Sequence, residues 1–256
     1  MKVHSILRVN ESQFNRYLYY CGLSHFALAF LILLIMPFEH RQIMGINLWI
    51  KPLKFAVSIG IYAISWSAIL SYFPQQSIIR RFARFTVFAL CFEMLAISSQ
   101  AARGELSHFN QSGIYNSTVY SLMGTIITAQ TVFSIIVSIP MFQSMPQKIG
   151  YAMAWALRFG IATSILFALQ GGYIGYHMSH TIGGTDGSKG ILILNWNRQY
   201  GDLRIAHFFG IHALQIIPLS IWLCRIKKIL LIILIGSCYF LLVSFVFYHA
   251  LLGRGF

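Results

Sequence analysis

Seven apolar stretches, each long enough to cross a lipid bilayer as a helix, leave this chain few ways to fold. A span needs about 20 apolar residues at a rise of about 1.5 Å each. Segments at roughly 17–37, 52–73, 83–102, 118–139, 151–176, 204–224 and 229–249 meet that need. In lipid the backbone must satisfy its own hydrogen bonds, which helices and closed barrels achieve. The expected fold is therefore all-α: a polytopic membrane helical bundle of seven transmembrane helices, forming one integral-membrane domain over 1–256. The fifth stretch is the least regular, because it contains Arg158 and the glycines Gly171, Gly172 and Gly175.

Charge supports the same class. Charged residues are 10% of the chain, against about 25% in soluble domains. The net charge of +13 comes from 19 Lys and Arg set against 6 acids. Most of these bases flank apolar runs, where they orient a membrane protein and meet anionic headgroups. The lipid bilayer is the expected partner, and nucleic acid is not. The first 17 residues, MKVHSILRVNESQFNRY, are polar and mixed. They predict no cleaved leader, with the first span acting as the insertion signal. Cys21, Cys91, Cys224 and Cys238 all lie inside apolar stretches without CxxC spacing, and CxxCH is absent. Covalent haem attachment is thereby excluded, and packing is the role expected of the thiols.

Orientation follows from the Lys and Arg count. With the N-terminus inside, the inner segments hold ten: Lys2, Arg8, Arg16, Arg80, Arg81, Arg84, Lys148, Arg225, Lys227 and Lys228. The outer segments hold eight: Arg41, Lys51, Lys54, Arg103, Lys189, Arg198, Arg204 and Arg254. RRFAR and RIKK are tight basic clusters expected on short turns, whereas the outer bases are interleaved with Asn, Asp, Gly and Trp. The reading is N-terminus inside and C-terminus outside.

That topology collects the reactive residues on the extracytoplasmic side. Lys51 and Lys54 share one face at the start of the second helix, behind Pro52. They serve either as snorkelling residues or, with Arg103 and Arg204, as binders of an anionic ligand. ARGELSHFNQSGIYN (102–116) places Arg103, Glu105, His108 and Asn110 in one short connection, with Phe109 and Tyr115 folding it back on the protein. The longest connection runs from His180 to Arg204, and long loops in compact folds are often functional. Within it, ILILNW reads as an interfacial segment anchored by Trp196, and Asp202 as an N-cap for the sixth helix. His177 and His180 share a helix face; His207 and His212, five apart, do not chelate one ion as an i, i+4 pair would.

Below that layer Glu93, Arg158 and His25 sit at similar depth. Glu93 and Arg158 are expected to form an interhelical ion pair, since an unpaired charge there is costly, with His25 and Gln130 completing the network. The pair either sets helix register or carries protons toward the outer site.

Three chemistries fit these residues. Haem b needs two axial imidazoles on facing helices, which His177 or His180 opposite His207 or His212 would supply, with bases meeting the propionates. A zinc, iron or copper ion is the alternative, held by His177, His180 and His207 with Asp186, or with His108 and Asp202 taking part; HExxH is absent. Either makes the chain a membrane oxidoreductase, with His108, Asp202 and Glu93 as catalytic candidates. The third reading is cofactor-free: binding, transport or modification of an anionic or lipid-like small molecule, with gating at helix breaks near Gly171, Gly172 and Pro218. Small-residue stretches suit packing within one chain or in a homo-oligomer.

The motifs NLWIKPLKF, RGELSHFN and GDLRIAHFFGIHALQ resemble those of an uncharacterised family of bacterial multi-pass membrane proteins of about seven helices. The resemblance covers most of the chain. It implies an integral protein of the bacterial cytoplasmic (inner) membrane, and carries no activity, cofactor or site residue.

Overall fold

The computed structural model describes residues 13–74, 76–187, 190–191 and 194–255. Lys2, Arg8 and Lys189 of the orientation count lie outside them, as does most of the N-terminal stretch. Seven helices among the described residues are long and apolar enough to cross a membrane, which fits a multi-pass membrane protein. They are α1 (Gln13–Ile35), α2 (Ile50–Leu70), α3 (Ser77–Ala102), α4 (Ile114–Gln143), α5 (Tyr151–His177), α6 (Leu203–Leu223) and α7 (Ile229–Leu251). Three two-stranded antiparallel ribbons decorate the connections. β1 (Gln42–Ile43) pairs with β2 (Ile46–Asn47), β3 (Thr181–Ile182) with β6 (Gly201–Asp202), and β4 (Gly190–Ile191) with β5 (Trp196–Asn197).

Two helix bounds correct the sequence reading. α3 begins at Ser77, so Arg80, Arg81 and Arg84 lie on its first turns and not in a turn before it. Arginine is a good helix former, and nothing in RRFAR stops the helix from starting early. Second, α5 runs unbroken through Gly171 and Gly172, and α6 through Pro218, where breaks were expected. Close packing between these two helices holds both in helical form.

The chain divides into two compact units, Met1–Phe133 and Ser134–Phe256. In the first unit α1 packs along α2, and both contact α3. The α1–α2 approach is close because Gly22 lacks a side chain; a Cβ there would come within 2.9 Å of the Gly60 carbonyl oxygen. The core between these helices is Cys21, Ala29, Ile32, Ala56, Ile59, Ala63, Leu90 and Met94. Small residues let the backbones meet where lipid offers no hydrophobic drive for helix association. At the end of this bundle Arg41 bonds the Glu39 carboxylate and reaches the Ala102 carbonyl at 3.1 Å, tying the α1–α2 connection to α3. The hydrogen bonds from Arg41 hold the Glu39 carboxyl at about 2.

In the second unit α5, α6 and α7 pack against one another, with α5 and α6 the most intimate pair. Gly160 plays the part of Gly22: a Cβ would stand 2.9 Å from the Ala213 carbonyl oxygen. Ala156, Ala213, Ile217, Ile221 and Ile232 fill the space beside it.

Candidate metal centre

On α1, Cys21 and His25 are four residues apart and so lie one above the other on a single face. α3 brings Cys91 to that face. One donor atom from each of the three lies within 4.8 Å of the other two, an arrangement able to hold a metal ion. Cys21 is 6% exposed and His25 4% exposed. His25 Nδ1 is 2.7 Å from the Cys21 carbonyl oxygen and 3.7 Å from Cys21 Sγ. A carbonyl oxygen only accepts, so Nδ1 carries the proton and Nε2 keeps the lone pair. Metal-bound histidines are commonly oriented this way, with the second nitrogen donating to a backbone carbonyl.

His25, expected beside Glu93, lies with Cys21 and Cys91, and these two thiols also pack in the core of the first unit. The signal in the sequence was the C-x-x-x-H spacing inside an apolar stretch. The third donor was invisible because it arrives through α1–α3 packing. Cys224 and Cys238 are exposed on the surface of the second unit.

A second polar group in the first unit joins residues that the sequence had placed in separate layers. His108 Nε2 stands 3.8 Å from Glu93 Oε1, and the Lys51 charge acts on the same carboxylate. Glu93 is 6% exposed, and its Oε2 has no hydrogen-bond partner among the described residues. Phe55 and Tyr120 flank the imidazole, with ring centroids 5.8 and 6.3 Å away. Lys54 lies with Lys51 on the first turn of α2. Arg103 is committed elsewhere: it donates to Gln100 Oε1 at 2.9 Å and Asn116 Oδ1 at 3.2 Å, and lies over the Tyr115 ring at 4.2 Å. It therefore staples the α3–α4 connection, the fold-back expected from Tyr115.

Glu93 and Arg158, expected as an ion pair, fall in different compact units, and each finds partners within its own. The Arg158 guanidinium donates to the Met141 carbonyl at 3.4 Å and sits 5.2 Å from the Trp155 ring. Gln130 donates to Thr86 Oγ1 at 2.9 Å, linking α4 to α3.

In the second unit the expected outer layer resolves into local structure. Asp202 is fully buried and caps α6 as its sequence position predicts. It accepts from the backbone N–H groups of Asn197 and Arg204 at 2.8 and 3.0 Å, and from the Arg204 guanidinium at 2.9 and 2.5 Å. Arg204 also donates to the Asn195 carbonyl at 2.6 Å. Arg204, expected at an anion site, and Asp202, a catalytic candidate, thus pair with each other. Trp196, in the β4–β5 ribbon, packs its ring edge-on to Phe208 at 5.7 Å and so pins the long connection onto α6.

The four histidines also take separate partners. His177 stacks on Tyr173. His180 Nδ1 is 3.0 Å from Asp186 Oδ1. His207 lies against Gly171 and donates from Nδ1 to the Phe167 carbonyl at 2.8 Å. His212 Nδ1 is 3.3 Å from Gln215 Oε1, with Phe208 against its ring. Among the described residues, His177, His180, His207 and Asp186 do not form a group of three or more metal donors. Each of these side chains thus makes a contact within its own helix, a neighbouring helix or the adjoining loop. Burial works to raise the Asp186 carboxyl, but hydrogen bonds from Thr181 and Ser179 and the nearby His180 outweigh it and hold it below the ordinary value.

Comparison with protein-family models, curated proteins and solved structures finds no match for this chain.

Proposed function

We propose that this chain is a metal-dependent redox protein of a bacterial cytoplasmic membrane, with its metal held by Cys21, His25 and Cys91. The observation that carries the reading is the convergence of two thiols and one imidazole, from two helices, at an apolar core, with Cys21 and His25 buried and Cys91 half-buried. Ionisable side chains inside a membrane protein are costly and mark function when they gather. Thiolate and imidazole donors suit the transition metals that exchange electrons, whereas carboxylate and carbonyl donors suit magnesium and calcium. Glu93 and His108, with Lys51 beside them, supply the acid–base and ligand-binding groups of the same unit. The orientation read from the Lys and Arg count, N-terminus inside and C-terminus outside, belongs to this proposal.

Metal analysis of the purified full-length chain is the direct test. One equivalent of a transition metal, lost in Cys21→Ser and Cys91→Ser proteins that keep the wild-type circular dichroism and elution volume, is the expected result. Metal-free protein from metal-replete cells overturns the reading. A Soret band in the same sample would restore the haem alternative on His177, His180, His207 and His212.

A further inference from the structure

We infer that the Cys21–His25–Cys91 site takes monovalent copper, with the Met94 thioether as an additional soft donor. The inference rests on the metal reading above and adds the identity of the ion.

Donor type comes first. Two sulfurs and one imidazole nitrogen are a soft set, and no carboxylate joins the group among the described residues. Soft thiolate and thioether ligands select copper(I), zinc and iron–sulfur clusters over magnesium, calcium and manganese. An iron–sulfur cluster needs four protein ligands, mostly cysteines, and this group offers two.

Donor number then separates copper from zinc. Zinc is held by four protein ligands in structural sites, or by three with a water at an open position. The described group has three His, Cys, Asp or Glu donors. The side chains filling the core around Cys21 are Ala29, Ile32, Ala56, Ile59, Ala63, Leu90 and Met94. Trp49 and Tyr62 also pack against this core, so the distinction between the two ions rests on donor number and donor softness. Copper(I), a closed-shell monovalent ion, is satisfied by two or three soft donors and requires no water.

Met94 strengthens the case. It lies three residues after Cys91, hence on a neighbouring face of α3. It is 3% exposed and belongs to the same core as Cys21. A thioether there adds a donor that copper(I) favours, without adding charge.

Charge balance points the same way. When copper(I) binds one thiol, an S–H bond breaks, a Cu–S bond forms and the proton leaves to solvent. One thiolate, one thiol and a neutral imidazole around a monovalent ion make an uncharged site. Zinc reaches neutrality there only after both thiols lose their protons. The hydrogen bond from Nδ1–H of His25 to the Cys21 carbonyl leaves Nε2 as the nitrogen with a lone pair.

The test is a pair of anaerobic titrations of the full-length protein in detergent. Copper(I) is presented as its bicinchoninate complex with ascorbate, and zinc(II) is presented against a chromophoric zinc chelator. One copper(I) per chain, taken from bicinchoninate, with weaker zinc binding is expected. X-ray absorption of the copper-loaded wild type then shows sulfur and nitrogen neighbours, a readout that needs no variant. Met94→Leu weakens copper(I) about 10- to 100-fold, the usual scale for groups supporting a metal site, and leaves zinc binding unchanged. One tightly held zinc with no tighter copper overturns the copper assignment and leaves the metal centre standing. Folded protein that binds neither ion overturns both. Oxygen neighbours in the absorption spectrum, or equal loss of both metals in Met94→Leu, overturns the donor set proposed here.

Discussion

The α1–α3 cluster of the first unit and the His180–Arg204 connection of the second draw on the same kinds of polar side chain and use them in opposite ways. In the connection every acid is saturated. Asp202 takes four hydrogen bonds from Asn197 and Arg204, and Asp186 takes bonds from Ser179 and the His180 backbone. These partners lie within a few residues of one another, so the contacts describe how a loop closes. Cys21, His25 and Cys91 come from distant positions, and their convergence organises no turn and caps no helix. Density of polar residues along a chain therefore marked architecture, while convergence in space marked the candidate site.

That contrast predicts a sharp division under mutation. His25→Ala, like loss of either thiol, is expected to empty the metal site, whereas His207→Ala and His212→Ala leave metal content at the wild-type level. Equal losses across both sets would erase the distinction between the two regions. The next largest effect falls on Asp202→Ala. It removes the cap of α6 and leaves Arg204 without its acid, and breaking a buried pair costs about 3–5 kcal/mol. Thermal unfolding in detergent measures this, and the surviving folded fraction should keep its full metal complement.

A smaller effect is expected at Asp186, where pH is the variable. Its carboxyl is held below the ordinary value of 3.8. A lowered folded value means that the stabilisation is present above the unfolded value and is lost as pH falls through the folded one. Hydrogen exchange of residues 179–186 should therefore speed up in the wild type below pH 3.8. The Asp186→Asn protein should exchange fast already at neutral pH, with little further change in acid. A wild-type loop indifferent to acid would remove Asp186 from its role as the closing residue. The smallest effect belongs to Tyr115→Ala, which takes the ring from Arg103. At such sites cation–π contacts contribute about 0.5–1 kcal/mol, and the same unfolding measurement resolves that loss if metal content stays constant.

The spans were legible because lipid imposes a rule that each segment obeys alone: about 20 apolar residues, with the backbone bonded inside the helix. The Asp202 cap was legible for a similar reason, since capping depends on residues two or three positions away. The charge of Arg204 was visible in the sequence, and the distance to its partner was not. Equal depth along two helices, the basis for pairing Glu93 with Arg158, says nothing about which helices are neighbours. Glu93 met His108, a residue assigned to another layer.

What the sequence determined by itself was the number of helices long and apolar enough to cross a membrane and the local closure of turns and caps. Those follow from hydropathy and from interactions within a few residues. Tertiary structure alone decided which side chains meet. Gly22 lets α1 approach α2, α3 contacts both, and Cys91 thereby reaches Cys21 and His25. A site built on that contact depends on helix packing, and packing is specified by the shapes of whole helix surfaces.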